Sequence, residues 1–293
     1  MSAPEVSFIT VNYNGLSETI ELIASIKQNA MGILFEIIVV DNASKEDPTD
    51  FFASKHPEVV FIRSDVNLGF AGGNNLGIQK SAGHFLFFVN NDTIITEGLT
   101  KSMISRFETD ERLGMLSPKI CFYNTKIIQY AGFEPLDHFA RNCAIGNKHE
   151  DGPNYQSYHD TYSGHGAAMM LPRNVIDQVG LMPELYFLYY EELDWSCQVR
   201  NAGYRVAIDQ SLIIYHKESM SVGKSSDLKT YYHFRNRILF VRRNFQSMQK
   251  AIALLYLTAV VFLKNYIFSL LKGNGQKANL YWKALYWNLT NQP

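Results

Sequence analysis

Four short apolar runs, separated by polar loops and amphipathic stretches, dominate the first hundred residues. The runs cover 6–11, 36–40, 59–62 and 85–89. Continuous apolar strands that alternate with helices are typical of a parallel sheet with both faces covered. Such sheets bind ligands outside the carboxyl ends of their strands. The sequence therefore predicts an α/β fold with a mainly parallel central sheet and a binding site along one edge.

Polar side chains gather where the predicted strands end. They are Asn12, Asp41, Asn67 and Asp92. The segment 67–75 is also rich in glycine, which predicts a turn whose backbone approaches a ligand closely. Farther along, the patterns predict the following elements: a hairpin strand at 126–133, a long loop at 137–158, a strand at 167–171, a helix at 172–179, a helix at 191–202 and two last strands at 204–208 and 212–216.

Composition narrows the class of protein. A chain of 293 residues with 46% hydrophobic residues is an ordinary globular protein, built as one large domain or one domain plus an appendage. Its formal net charge of -1 argues against nucleic acid as a partner. The three cysteines (Cys121, Cys143 and Cys197) form no C-x-x-C pair, which argues against a disulfide framework and a zinc knuckle. With a short polar N-terminus, we expect a cytoplasmic protein without a signal peptide.

The character of the chain changes after residue 219. The segment 217–229 is polar, and we expect 219–227 to form a loop that closes over a bound ligand. A basic helix at 231–245 precedes 251–263, which has no charge, and Lys264-Asn265 then interrupt the apolar run. The run is shorter than the 20 or so residues that span a bilayer, so it predicts a helix lying in a membrane interface. The alternative is a helical hairpin packed on the domain or on a second subunit of a homodimer.

Two acidic motifs are the candidates for chemistry. Asp92, in Asn90-Asn91-Asp92 at a strand end, is placed to hold a divalent cation against a diphosphate, although an Asx turn is the alternative. Glu191-Glu192-Leu193-Asp194 begins a helix, and the helix dipole by itself favours acidic side chains at that position. The aromatic run 186–190 beside it predicts desolvated carboxyls with raised pKa values, suited to accepting a proton. His216, at the end of a strand, is either a metal ligand or a structural residue.

Taken in order, these motifs resemble the family 2 glycosyltransferases, and most of all their rhamnosyltransferase-like branch. The resemblance covers about 6–221. The residues that carry it are Thr10-Val11-Asn12-Tyr13-Asn14, Val39-Val40-Asp41-Asn42-Ala43-Ser44, Asn67 to Asn74, Asn90-Asn91-Asp92, Glu191-Glu192-Leu193-Asp194-Trp195 with Arg200, and His216. Each motif is modest alone, but together and in register they are specific.

The resemblance implies the GT-A fold, with a nucleotide-binding half at about 1–115, an acceptor-binding half at 116–225 and C-terminal amphipathic helices at 226–293. It also implies site residues. The donor-binding residues would be Thr10, Asn12, Asn14, Asp41, Asn67, Gly72, Gly73, Asn91 and Asp92, with Asp41 on the base or ribose. Asp92 and His216 would hold Mg²⁺ or Mn²⁺. Glu192, or alternatively Glu191, would be the catalytic base, and Asp194, Trp195 and Arg200 would lie on the acceptor side. Asn90 departs from the D-x-D motif.

The implied activity is transfer of a sugar, with inversion, from a nucleotide-diphosphate donor to a hydroxyl of a glycan or lipid-linked glycan during surface polysaccharide synthesis. The branch indicates dTDP-rhamnose as the donor, and UDP-sugars stay open. The implied location is the inner face of the cell membrane, as a peripheral protein. The alternatives are a catalytically silent nucleotide-sugar binding module and another kind of nucleotide enzyme. The lack of a P-loop and of G-x-G-x-x-G counts against the last.

Overall fold

The computed structural model describes residues 3–217 and 227–293, in which ten strands form one sheet. The strands are β1 (Val6–Asn12), β2 (Phe35–Asn42), β3 (Val60–Ser64), β4 (Phe85–Val89), β5 (Thr93–Ile94), β6 (Leu113–Phe122), β7 (Ile128–Tyr130), β8 (Tyr158–Asp160), β9 (Ala168–Pro172) and β10 (Arg205–His216). The helices are α1 (Leu16–Asn29), α2 (Thr49–Lys55), α3 (Gly69–Lys80), α4 (Leu99–Thr109), α5 (Arg173–Val179), α6 (Glu191–Asn201), α7 (Asp227–Asn244), α8 (Ser247–Leu255), α9 (Leu263–Leu271) and α10 (Gly275–Thr290). A 3₁₀ turn covers Glu184–Tyr186, and a π-helical segment, Tyr256–Phe262, joins α8 to α9.

The sheet runs in the order β3-β2-β1-β4-β9-β6-β10-β5, with β7 on β6 and β8 on β10. Strands β3, β2, β1 and β4 are parallel, as are β6 and β10, whereas β9 is antiparallel to both of its neighbours. The predicted α/β fold is confirmed. Because β1 lies between β2 and β4, the strand order reverses at β1. The carboxyl ends of the strands at such a reversal are where open α/β sheets bind ligands.

The apolar runs form strands because both faces of the sheet are covered. Phe8 and Phe87 are buried in the cluster on one face, and Ile9 and Phe88 are buried in the cluster on the other. Successive side chains in a strand point to opposite faces, so a strand covered on both sides has to be apolar at every position. Complete burial of one such side chain stabilises the fold by about 1.5–3 kcal/mol.

Two local predictions were wrong. The glycine-rich segment after Asn67 is the first part of helix α3 and not a turn. A Cβ atom at Gly73 would lie 2.9 Å from the Val11 side chain, so the glycine allows this helix to pack closely on β1. The two predicted last strands are one strand, β10, whose register against β6 shifts between Asp209 and Ile213. The shift accommodates the polar break between the two apolar runs.

The C-terminal helices bury an apolar cluster against α6. Leu193 and Cys197 of α6 join Phe234 and Ile238 of α7 in that cluster. The helical segments α8, π and α9 make one continuous helix, Ser247–Leu271. Lys264-Asn265 interrupt the apolar run but not the helix, which accommodates both residues.

By length and composition the Ser247–Leu271 helix could cross a membrane: it has 25 residues, and its most apolar stretch has a mean hydropathy of 1.8 and is 17% buried. Its exposed apolar residues recur at helical spacing and form a stripe. They are Met248, Ile252, Leu255, Val260, Leu263, Ile267, Phe268, Leu270 and Leu271. The wider step from Leu255 to Val260 falls in the π-helical segment, which adds one residue to the turn.

Candidate active site

Buried polar contacts join the carboxyl ends of the first three strands. The Asp41 carboxylate is buried and accepts hydrogen bonds from Asn12 Nδ2 (2.7 Å) and the Ser44 backbone N–H (3.1 Å). It also pairs with Arg63, the residue in register with it on β3. Arg63 was missed by the sequence analysis, although a charged residue near the end of an apolar strand is a usable signal. The pair fixes the carboxylate at the carboxyl end of β2.

Other predicted donor-binding residues shape the loops around Asp41. Asn14 has φ 56°, and its backbone N–H donates to the Ser44 hydroxyl (2.8 Å). The Asn67 Oδ1 accepts from the Gly69 N–H (2.9 Å) and from Asn42 Nδ2 (3.1 Å). The Thr10 hydroxyl is buried and has no hydrogen-bond partner within 3–217 and 227–293, so an acceptor or donor brought by a ligand would satisfy it.

Three predicted donor-binding residues have local structural contacts. The Asn91 amide donates to the Gly15 carbonyl and to the Thr19 hydroxyl, both at 3.1 Å, and so holds the start of α1. Gly72 and Gly73 are buried on α3, where Cβ atoms would meet Leu68 and Val11 at 2.6 and 2.9 Å. Whether these two glycines also border the nucleotide and the sugar stays a prediction. They are glycines because the helix packs tightly.

Asp92 and His216 come together at the end of β4. Thr93, the residue after Asp92, is in register with His216 on β10. This pairing puts Asp92 Oδ1 3.0 Å from His216 Nε2, and both side chains are buried. On the other side of the ring, His216 Nδ1 lies 2.7 Å from Gln129 Oε1, an arrangement in which Nδ1 donates and Nε2 faces the carboxylate. Gln129 is a second residue that the sequence analysis missed.

The Asp92–His216 pair fits a divalent cation. An imidazole Nε2 and a carboxylate oxygen both carry lone pairs, so at 3.0 Å they repel each other unless a proton or a cation lies between them. Within 3–217 and 227–293 no group of three or more His, Cys, Asp or Glu side chains could hold a metal ion. Further ligands would have to come from the substrate and water, which is how Mg²⁺ is often bound beside phosphates.

Glu191 and Glu192 are the first two residues of α6. Glu191 is 3% exposed and its Oε2 has no hydrogen-bond partner in the described part of the chain, whereas Glu192 is half-buried. Burial raises the pKa of Glu192, and burial together with the charge of Glu192 raises the pKa of Glu191 well above its ordinary value. The prediction of desolvated carboxyls is thus confirmed. Glu192, which water can reach, is the better placed of the two to exchange a proton with a substrate.

The two acidic motifs border the same short segment, 163–167. The Asn90 N–H donates to the Ala167 carbonyl (3.0 Å), and a Cβ at Gly166 would lie 3.9 Å from the Glu192 carboxyl carbon. His165, in the same segment, has its ring 4.9 Å from the ring of Tyr130.

The pKa values of these two rings are shifted by burial and by neighbouring groups of the site. Burial, and then the charge of His216, lowers the pKa of His165 to about 3. Burial, with a contribution from the charge of Glu192, raises the pKa of Tyr130. The contacts of Asn90 with Ala167 and of Gly166 with Glu192 place the motifs at 90–92 and 191–192 beside one segment.

The residues just before Glu191 have strained backbones. Phe187, Tyr189 and Tyr190 have φ values of 63°, 68° and 80°. Left-handed conformations cost non-glycine residues roughly 1–2 kcal/mol each, so the surroundings must hold them. One restraint is the Phe70 N–H, which donates to the Phe187 carbonyl (2.8 Å) and ties the start of α3 to this loop.

The remaining restraints come from α7. The buried Asn236 amide donates to the carbonyls of Tyr186, Leu188 and Tyr189 at 2.8–2.9 Å. Arg235 donates to the Tyr186 carbonyl (2.7 Å) and to Asn236 Oδ1 (2.7 Å). These contacts were not foreseen from the sequence, because nothing local to residue 236 shows that it meets a loop fifty residues earlier. We call 185–190 with Arg235 and Asn236 the loop anchor.

The three predicted acceptor-side residues make contacts within the protein. Trp195 is fully buried in the core, and its indole N–H donates to the Gly180 carbonyl (3.0 Å). Asp194 is 1% exposed and accepts from Tyr186, Gln198, Arg243 and Asn244. The Arg200 guanidinium donates to the Tyr162 carbonyl and lies over its ring, 4.2 Å from the centroid. Contacts within the protein thus occupy their polar groups, and their place on the acceptor side stays a prediction. Most of the predicted lid, 219–227, lies outside the described residues.

Comparison with known proteins identifies relatives of this chain. A family model described as glycosyl transferase family 2 matches residues 7–178. The low-salt glycan biosynthesis hexosyltransferase Agl10 of Haloferax volcanii is 25% identical over 245 residues, which are 80% of this chain and 75% of that protein. An uncharacterized glycosyltransferase of Haemophilus influenzae is 34% identical over 146 residues, covering 49% of each chain.

Solved structures show the same fold. GalNAc-T7 with UDP, GalNAc and Mn²⁺ superposes with a TM-score of 0.67 at 13% identity, covering 98% of this chain and 56% of that one. The mannosyltransferase PcManGT from Pyrobaculum calidifontis, with GDP-Man and Mn²⁺, gives 0.58 at 14% identity, covering 100% and 77%. S. aureus TarS 1-349 with UDP-GlcNAc gives 0.60 at 16% identity, covering 99% and 82%.

Proposed function

Since this chain belongs to glycosyl transferase family 2 and has the GT-A fold, we propose that it transfers a sugar from a nucleotide-diphosphate donor to an acceptor hydroxyl with inversion. The observation that carries the proposal is the convergence of two motifs a hundred residues apart. Asp92 with His216, and Glu192, border the same segment at the carboxyl end of the sheet. A silent binding module would have no need of a desolvated, partly exposed carboxyl opposite the diphosphate position.

Each group has a role that follows from its surroundings. The strand-end network around Asp41 binds the nucleoside, with the Thr10 hydroxyl available to it. Asp92 and His216 would hold Mg²⁺ or Mn²⁺, which when bound offsets the charge that develops on the leaving nucleoside diphosphate. Glu192 removes the proton of the acceptor hydroxyl as its oxygen attacks the anomeric carbon from the side opposite the leaving group. One such displacement inverts the configuration.

The donor is best sought among several nucleotide sugars. The resemblance to the rhamnosyltransferase-like branch makes dTDP-rhamnose our first choice. The relative named a hexosyltransferase, and neighbours bound to UDP-GlcNAc or GDP-Man, support including UDP- and GDP-hexoses. The acceptor we propose is a glycan or lipid-linked glycan of the cell surface, in agreement with the glycan biosynthesis named for one relative.

We expect one nucleotide sugar of such a panel to be consumed with release of its nucleoside diphosphate, only when Mg²⁺ or Mn²⁺ is present. Asp92→Asn removes the charge that faces His216 and should lower this release at least about 100-fold, as losses of central electrostatic groups do. Ser102→Asn, on the far helix α4, is the control and should have wild-type rates. Release that is equal in Asp92→Asn, or unaffected by EDTA, would contradict the metal-site assignment. Metal-dependent nucleotide binding with no release from any sugar favours the silent module.

The C-terminal helices support a location at the membrane surface. Residues 227–293 contain ten Lys and Arg and one acidic residue, Asp227, a formal charge of +9. The first 226 residues contain 17 Lys and Arg and 27 Asp and Glu, a formal charge of -10. A basic segment with an exposed apolar stripe binds anionic lipid through both charge and apolar burial. We therefore propose that the Ser247–Leu271 helix lies in the inner leaflet interface.

The purified chain should co-sediment with vesicles of phosphatidylglycerol and far less with phosphatidylcholine. Leu255→Ser combined with Ile267→Ser removes exposed apolar side chains from the stripe and should weaken binding roughly tenfold or more, because each exposed leucine or isoleucine gives up about 1.5–3 kcal/mol of burial. Val60→Ser with Val66→Ser, exposed positions near strand β3, is the matched control. If light scattering shows a dimer, and the dimer co-sediments with neither kind of vesicle, the stripe is a subunit interface and the membrane proposal fails.

A further inference from the structure

A cavity of about 370 Å³ lies between α7, the Ser247–Leu271 helix and α10. Tyr190, the residue directly before Glu191, forms part of its wall. The cavity thus lies next to the start of α6 but belongs to the C-terminal helices, apart from the nucleotide network around Asp41. The other lining residues are Lys229, Thr230, His233, Phe234, Arg237, Val261, Asn265, Lys277 and Tyr281.

The charged groups that line the cavity are all cationic. Lys229, Arg237 and Lys277 contribute to the wall, and no Asp or Glu does within the described residues. Asp227, the single acid of 227–293, instead accepts from the Gln276 amide. Burial, and then the charge of Lys229, lowers the pKa of His233 to about 4, so this imidazole is a neutral hydrogen-bonding group at pH 7. Three cations around a cavity of this size favour an anion with several oxygens.

An apolar groove of about 340 Å³ is lined by the same two helices, Ser247–Leu271 and α10. Phe262, Tyr266 and Trp282 supply aromatic surface, and Leu263 and Leu270 supply aliphatic surface. On α10 the cavity uses Lys277 and Tyr281, whereas the groove uses Ala278 and Trp282, one residue farther in each case. Neighbouring cationic and apolar sites on one helix pair match a molecule with a charged head and a hydrocarbon chain.

We propose that the cavity and the groove together bind a lipid-linked acceptor, with its phosphate or diphosphate among Lys229, Arg237 and Lys277 and its chain beside Trp282. The inference rests on the proposed glycosyl transfer and names the chemical class of the acceptor. The cavity includes Tyr190, which adjoins the glutamate pair, so a sugar attached to the bound phosphate would extend toward Glu192. The Ser247–Leu271 helix would then contact both the membrane surface and the bound acceptor.

The test uses farnesyl diphosphate, pyrophosphate and farnesol as probes, titrated calorimetrically into the full chain in EDTA. Farnesyl diphosphate should bind one to one and more tightly than pyrophosphate, and farnesol should bind weakly. Lys277→Glu should weaken both phosphate probes about tenfold or more, because it replaces a charge-assisted contact with repulsion. Trp282→Ala should weaken only farnesyl diphosphate. Lys283→Glu, the same charge change on an exposed part of the same helix, should match wild type.

Two further measurements separate this inference from the proposed transfer. The titration is repeated with Asp92→Asn, and an unchanged affinity places the probe outside the donor site. Nucleoside diphosphate release from the donor is measured in parallel, and it should be the same in Lys277→Glu and wild type when no acceptor is present. Equal effects of Lys277→Glu and Lys283→Glu, or no binding in a protein that turns over donor, overturn the acceptor site alone. Absence of donor turnover in wild type would count against the transferase and leave the binding result intact.

Discussion

Glu192→Gln keeps nucleotide binding and lowers sugar transfer about 10²–10⁴-fold, the range expected when a general base is removed. The amide has nearly the same shape as the carboxyl but accepts no proton from the acceptor hydroxyl. Glu191→Gln is the matched control, since that side chain is only 3% exposed. We expect it to change the rate less than tenfold. The measurement is kcat/KM with the donor found in the panel, and a larger loss in Glu191→Gln would reassign the base.

The pH dependence of the rate tests the same residue. A general base works only when ionised, and burial raises the pKa of Glu192 above its ordinary value of 4.5. The rate should therefore fall as the pH is lowered, with a midpoint above 4.5. The residual rate of Glu192→Gln should lack this acidic limb. A limb that persists unchanged in Glu192→Gln would assign the titration to another group.

Asn236→Ala should lower kcat roughly 100-fold with little change in the KM for the donor. The substitution removes the donor shared by three carbonyls of the loop anchor, so the left-handed residues before Glu191 are free to relax. A displacement of about 1 Å at a catalytic group costs about that factor in rate. The loss of buried hydrogen bonds should also lower the unfolding free energy by about 1–3 kcal/mol, which thermal or urea unfolding measures.

Asn244→Ala is the control for Asn236, because it lies on the same helix and its amide donates to Asp194 and Phe240 instead of to the loop. It should lose stability without a comparable loss in kcat. If loop relaxation admits water to Glu192, the acidic limb of the Asn236→Ala rate profile should also move toward 4.5. Equal kcat values for the two variants, corrected for the folded fraction, would show that Asn236 only stabilises the fold.

The sequence was sufficient to predict the strands of the parallel sheet and the polar residues at their carboxyl ends. An apolar run that ends near Asp41 or Asp92 can be recognised in the sequence, and parallel strands bring such ends to one edge of the sheet. The partners of these acids were not visible, because Arg63 and Gln129 reach them only through strand register and folding of β7. The complete burial of Trp195 was not visible for a related reason: a motif position gives no information on burial.

The C-terminal half was predicted less well because its elements depend on packing between distant segments. Lys264-Asn265 look like a break in an apolar run, but the helix continues through them because its neighbours α7 and α10 define a face for it to pack against. Asn236 likewise has no local signature. Its role exists only once α7 lies against 185–190.

The single sheet restricts how this protein can move during turnover. Strand β9 is hydrogen-bonded to β4 on one side and to β6 on the other, so the two halves share a continuous backbone ladder. Rotation of one half against the other would break the hydrogen bonds of that ladder. Hinged closure, in contrast, is available to proteins whose two lobes are joined by a flexible linker. Substrate entry and product release must therefore depend on movement of segments outside the ladder. The part of the sheet that positions Asp92 and His216 stays rigid from one catalytic cycle to the next.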